Sequence, residues 1–199
     1  MPEYIYDLRR VSHITAAAVG QPGERVFYLQ AQKHSDLISL VTEKEYIRAL
    51  AQRIDSILDE LEKRGVARPD PSEEPTPAEL MLRGPLNSLF RIGQMSLAYA
   101  PDGDLLVLEA EELPVADDDE EEIDPILRQS EPEAAPPRQP RMVRFSATRA
   151  QMQGLSRSAM EIITTGGRAI CPQCLQPMEP TGHMCVKKNG HANKTAAEM

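Results

Sequence analysis

Apolar and polar positions change period several times along this chain, and each change marks an element. Behind Thr42, the residues Ile47, Leu50, Ile54, Ile57, Leu58 and Leu61 recur every three or four positions. Glu43, Lys44, Arg48, Arg53, Asp59 and Lys63 fill the other side. That spacing predicts an amphipathic helix. Thr42-Glu-Lys-Glu45 ahead of it matches a capping box, and Arg64-Gly65 behind it suits a helix end with Gly at C′. A second helix is predicted over Thr148–Thr165, with Met152, Leu155, Ala159, Ile162 and Ile163 on one face. Gly166-Gly167 stops it.

Elsewhere the period shortens towards two. Residues 11–19 are β-branched and small and predict a strand, followed by a turn at Gly20-Gln-Pro-Gly23. In the next strand Phe27, Leu29 and Ala31 face one way and Tyr28, Gln30 and Gln32 the other. Leu37–Val41 makes a third strand. Phe90–Tyr99, a hairpin turn at Pro101–Asp104, and Leu105–Glu111 give two more, and Met142–Ser146 a sixth. A short helical turn is expected near Ala78–Leu82, ended by Gly84-Pro85.

Each half thus offers a hairpin with a Pro/Gly turn, a third strand and a helix. A shift of 105 positions lays Ile47 on Met152, Leu50 on Leu155 and Ile57 on Ile162. The expected fold is α+β: a mostly antiparallel sheet from a duplicated βββα unit, two amphipathic helices on one face, and a small C-terminal zinc-ribbon or knuckle-like module. The domain reading is a first half at 1–65, a Pro- and acid-rich connector at 66–85, a second half at 86–165 and a zinc-binding tail at 166–199. Within the second half, 112–140 reads as a disordered acidic loop. Its run from Asp117 to Asp124, broken only by Ile123, and its prolines leave too little apolar surface to order it.

Charge separates the two ends. Residues 1–137 carry 13 Lys/Arg against 28 Asp/Glu, and 138–199 carry 9 against 3, within a net charge of −9. The molecule as a whole repels nucleic acid, while its last third is basic. No apolar run reaches the roughly 18 residues of a membrane span, and no signal peptide is evident. Three cysteines, an odd number, suit a reducing compartment. The expected location is the cytoplasm.

All three cysteines gather near the end with two of the four histidines: Cys171, Cys174, His183, Cys185 and His191. The pattern C-x2-C-x8-H-x-C-x5-H offers five soft or borderline donors for the four places of a tetrahedral zinc. Cys171, Cys174 and Cys185 are the core of the set. The fourth donor is His183 or His191, with His191 preferred because a five-residue spacing from Cys185 gives the more relaxed bite. A free or redox CxxC is the competing reading, but Leu175-Gln-Pro-Met-Glu-Pro180 cannot continue as the helix a redox motif opens. Four protein ligands make a closed, structural site, with one zinc ion and no catalytic residues. His13 and His34 read as packing or surface residues, and no paired carboxylates stand out.

Cys-Pro-x-Cys…Pro-x-Gly-His-x-Cys…Asn-Gly-His, together with Val19-Gly-Gln-Pro-Gly-Glu-Arg-Val-Phe-Tyr-Leu-Gln-Ala31, resembles the bacterial domain of unknown function 3090 family. The resemblance covers most of the chain outside the acidic loop and the last residues. It implies no established activity. It does imply a gene set holding a histidine-phosphatase-like and a kinase-like protein. Leu175 departs from the pattern where Gly would ease the turn.

Three function classes follow. The favoured one is a non-catalytic, zinc-stapled scaffold or adaptor that binds a protein partner. The second is nucleic-acid binding through the basic tail, which lacks the aromatic residues that base stacking needs. The third is an enzyme of unknown type in a phosphate-related pathway. Neither a membrane partner nor an oligomeric state is read from the sequence.

Overall fold

The structure is a computed structural model that describes residues 3–21, 24–114 and 139–165. Seven strands and two α-helices follow one another as β1 (Tyr4–Leu8), β2 (His13–Val19), β3 (Val26–Lys33), β4 (Asp36–Thr42), α1 (Lys44–Lys63), β5 (Ser88–Ala100), β6 (Leu105–Glu112), β7 (Met142–Thr148) and α2 (Arg149–Thr165). The strands form one sheet in the order β1-β7-β6-β5-β4-β3-β2. All neighbours are antiparallel except β1–β7 and β4–β5.

The first and last strands of that order are joined by only residues 9–12, so the sheet must curl until its edges approach. The linker bonds to the strand next to each edge. The backbone N–H of Val11 donates to Ser146 O of β7 at 2.9 Å, and that of Ser12 donates to Gln32 O of β3 at 2.8 Å. β1 was not expected from the sequence. Of its five residues only Leu8 is buried, while Ile5 and Tyr6 are exposed, so no alternation announces it. The acidic stretch expected from 112 begins later, because Glu112 still belongs to β6 and its N–H donates to Arg141 O at 2.9 Å.

The inner face is apolar. Ala16, Leu29 and Leu40 stand opposite one another across β2–β4, and Leu108 faces Phe145 across β6–β7. Against them pack Ile47, Leu50, Ile54 and Leu58 of α1 and Met152, Leu155 and Ala159 of α2, in one core. The helices touch where Ser156 Oγ donates to Ala51 O at 3.1 Å and to Asp55 Oδ1 at 3.0 Å.

The α1 end forms as its sequence requires. Gly65 takes φ 85°, its N–H donates to Glu62 O, and the Val66 N–H donates to Leu61 O at 3.0 Å. These are the paired bonds of a Schellman motif. The start differs from expectation. Thr42 is the last residue of β4, opposite Phe27, and its buried Oγ1 has no partner. Glu43 is the N-cap, without a side-chain cap bond. A capping box forms instead at α2: the Gln151 N–H donates to Thr148 Oγ1 at 3.2 Å, and the Thr148 N–H to Gln151 Oε1 at 3.0 Å.

The connector between α1 and β5 is a strap laid over the outer face of β2–β4. Asp70 Oδ1 accepts from Ser72 N–H at 2.8 Å and caps a 3-10 turn at Pro71–Glu73. Thr76 and Glu79 then bond reciprocally around a turn in which the Leu80 N–H donates to Thr76 O. The polar row beneath, Thr15, Gln30 and Ser39, is buried by this passage. Thr15 Oγ1 donates to Leu80 O. Gln30 Nε2 donates to Arg83 O and to Ser39 Oγ, both at 2.9 Å, and its Oε1 accepts the Arg83 N–H at 2.8 Å. The primary amide thus answers both backbone groups of Arg83, as a neighbouring strand would.

Candidate functional site

Where the strap crosses from the start of β2 to the first turn of α2 it leaves a cavity of about 390 Å³. Its floor is Ser12, His13 and Ile14, the strap supplies Ser72–Thr76, Glu79 and Arg83, and Gln151 closes the side. Glu74 and Pro75 also border an apolar groove of about 490 Å³, whose walls include Ala17, Met81 and Gly154. The strap is pinned to α2 between the two. Glu74, only 6% exposed along its side chain, accepts from Gln153 Nε2 at 2.6 Å and from Arg157 Nη2 at 3.0 Å. Arg149 Nη1 donates to Ala67 O at 2.6 Å further back.

His13 is the unusual member. Its ring is 4% exposed and its Nε2 has no partner. Burial holds its pKa below the ordinary histidine value and the Arg83 charge adds to this, while hydrogen bonding to the Glu79 backbone and the Gln30 side chain pulls the other way. The ring is therefore neutral near pH 7. A buried polar atom left unmatched is destabilising by about 1–3 kcal/mol.

The surrounding hydroxyls point away from catalysis by a nucleophile. Ser12 Oγ donates to Gln32 O, Ser72 Oγ to Asp70 and Thr76 Oγ1 to Glu79. Among the described residues none is bonded to His13, so the serine–histidine contact that activates a nucleophile is not formed. Sequence reasoning placed His13 correctly in a strand but set it aside, because its burial depends on a strap 60 residues away in the chain.

The carboxylates around the fold have ordinary structural roles. On the outer face of β6–β7, Glu109 accepts from Tyr4 OH at 2.5 Å and from Arg144 Nη2 at 2.8 Å. The Tyr4 hydrogen bond first, and Arg144 after it, hold the Glu109 carboxyl below its usual value. Arg144 also lies 4.0 Å from the centre of the Tyr4 ring. Asp104, in the β5–β6 turn, is held low chiefly by Arg149, which bonds it at 2.7 Å.

The five zinc donors expected from the sequence, Cys171, Cys174, His183, Cys185 and His191, lie outside the described residues, as do Gly166-Gly167 and the acidic run. Among the described residues no three His, Cys, Asp or Glu side chains gather to hold a metal, and no helix is long and apolar enough to cross a membrane.

A family model described as a protein of unknown function, DUF3090, matches residues 6–185. The chain belongs to the DUF3090 family. No curated protein and no solved structure matches it. The DUF3090 match takes in the strap, the His13 cavity, both helices, Cys171, Cys174, His183 and Cys185, and it stops before His191.

Proposed function

We propose that the protein is a non-catalytic scaffold that binds a protein partner, with its C-terminal tail stapled by one structural zinc. The observation that carries this reading is the donor set itself. Cys171, Cys174 and Cys185 with one histidine fill a tetrahedral shell, which leaves no open position for substrate or water. The tail follows closely on α2, and α2 is fixed by the core, by α1 and by the strap. A stapled module on so rigid a base is suited to presenting a surface. Of the two histidines, His183 lies within the family match and His191 beyond it; His191 has the easier spacing from Cys185.

The same reading takes the body as one βββα unit used twice. Its support is the order β2-β3-β4-α1 followed by β5-β6-β7-α2. A further support is the Ser156–Ala51 contact, which joins positions 105 apart, the same offset that aligns the two helices.

The test combines metal analysis with affinity capture. The full chain purified without chelator is expected to hold about one zinc, and to capture a protein that is lost when residues after Ala169 are removed. Cys171→Ser abolishes both. Metal-free protein, capture indifferent to the tail, or capture of nucleic acid in place of protein would overturn the reading.

A further inference from the structure

We propose that Glu179-Pro180-Thr181 of the C-terminal tail docks in the groove between α1 and β5, as Glu74-Pro75-Thr76 of the strap docks against α2. The proposal rests on the duplication put forward above and needs neither the zinc nor the partner. Its first ground is in the sequence. The shift of 105 positions that lays α1 on α2 also brings Glu74-Pro75-Thr76 onto Glu179-Pro180-Thr181, three identities in a row. In the strap these are the residues that meet α2. Glu74 accepts from Gln153 and Arg157, Pro75 seats on Gly154, and Thr76 begins the turn that follows. The same shift carries Gln153, Gly154 and Arg157 onto Arg48, Ala49 and Gln52. Both helices thus hold an arginine and a glutamine four residues apart, with a small residue between them. Met184 stands where the strap has Glu79, so the bonded turn after Thr76 has no counterpart and the docking is confined to the three residues.

The second ground is structural. α2 packs along β2 and α1 along β5, so each helix lies beside the first strand of the other half. Tyr46, the equivalent of Gln151, repeats its role: its OH donates to Gly93 O of β5 at 2.7 Å, as Gln151 Nε2 donates to Val11 O ahead of β2 at 3.0 Å. Ser156 meets Ala51, its own equivalent, which puts that contact at the axis relating the halves. Beside α2 the strap fills the space, and Gln153 and Gly154 are buried. Beside α1 the counterparts Ala49 and Gln52 are exposed among the described residues. A groove of about 240 Å³ opens there between Tyr46, Ala49 and Arg53 and the side chains of Met95 and Leu97. That volume and those apolar walls suit a proline ring. Arg48 pairs with Glu45 at the surface, and a guanidinium with five N–H groups has donors left for a second carboxylate. The tail carries the matching Glu-Pro step on the same chain, which gives it the advantage of a high local concentration over a separate peptide or a second copy.

The experiment makes Arg53→p-benzoylphenylalanine, a photo-crosslinker at the border of the groove, in the full chain. Irradiation is expected to join that position to residues 176–184 of the same molecule, read by mass spectrometry of peptides from the monomer. Glu179→Lys and Arg48→Glu are each expected to lower the yield about tenfold, the effect of losing one charge-assisted contact, and the two together to restore it. Glu179 is not among the proposed zinc donors, and zinc content is read on the same samples to separate the docking from the staple. A zinc-loaded tail that does not crosslink overturns the docking and leaves the staple standing. A crosslink formed in metal-free protein upholds the docking and removes the staple. The docking is equally overturned if the product joins two copies, if it maps to another segment, or if both single variants keep the parent yield.

Discussion

Gln30 shows at the scale of one residue why the outer face of the sheet is legible only in part. Its alternation with Leu29 and Ala31 predicts a strand with a polar side, and the strand is there. A polar side usually means solvent, yet Gln30 is fully buried and answers the backbone of Arg83 with two of its hydrogen bonds, a third going to Ser39 Oγ. Nothing local distinguishes the two cases. The glutamine is polar because its partner is a peptide group, and that partner lies 53 residues on. Gln30→Ala removes the partners of the Arg83 N–H and C=O and of Ser39 Oγ and is expected to destabilise the fold by about 1–3 kcal/mol, measured by urea unfolding. A loss below about 0.5 kcal/mol, the level of an ordinary surface change, would show that the strap is not held this way. His13, read as a packing or surface residue, is a packing one; the sequence left the two open for the same reason, since a histidine among β-branched residues carries no sign of the strap that covers it.

Elements whose signals are local were read well, and those that depend on packing were not. The α1 helix could be placed from its apolar stripe and its terminal glycine, because both act within a few residues. Its start could not. Thr42 and Glu45 have the spacing of a capping box, but sheet pairing with Phe27 claims Thr42 as a strand residue. Thr148 and Gln151 have equivalent spacing and do form the box: Thr148 is likewise a paired strand residue, but α2 starts directly after it at Arg149, whereas α1 starts one residue further from Thr42, at Lys44. The strap illustrates a third case, a Pro-rich segment that packs through its rings and backbone. Gly154 of α2 is where Pro75 seats: a Cβ there would lie 2.8 Å from Pro75 Cδ. In an open helix Gly→Ala stabilises by up to about 1 kcal/mol. Here Gly154→Ala is expected to destabilise by about 1–3 kcal/mol through overpacking, and Pro75→Ala in the same chain should recover much of the loss. Independent, additive effects in a double-mutant cycle would contradict the contact.

At the scale of the whole molecule, the fold class and six of the seven strands among the described residues were readable, whereas the pairing of β1 with β7 was not, because it joins segments more than 130 residues apart. The charged groups set how this body responds to acid. His13 has a depressed folded pKa, with Arg83, Glu73, Glu74 and Glu79 around it, so its contribution is complete above the unfolded value of about 6.5 and is lost as pH falls below it. Glu109 and Asp104 are also depressed, so theirs is complete above the unfolded carboxyl range, about pH 4, and is lost below it. Unfolding free energy measured from pH 8 downwards is therefore expected to fall in two steps. His13→Gln should remove the upper step alone. A profile flat between pH 7 and 5, or an upper step that survives in His13→Gln, would contradict this.

The hold of Val11 on β7 and of Ser12 on β3 has a consequence in time as well as in space. Among the described residues the only strand beside β1 is β7, which is synthesised more than 130 residues after it. During translation β1 must therefore wait for its neighbour, whereas β2 can pair with β3 as soon as both have emerged. Contacts of such sequence separation form late and slowly. The exposed Ile5 and Tyr6 travel on that waiting strand, which is open to wrong pairing until β7 has emerged.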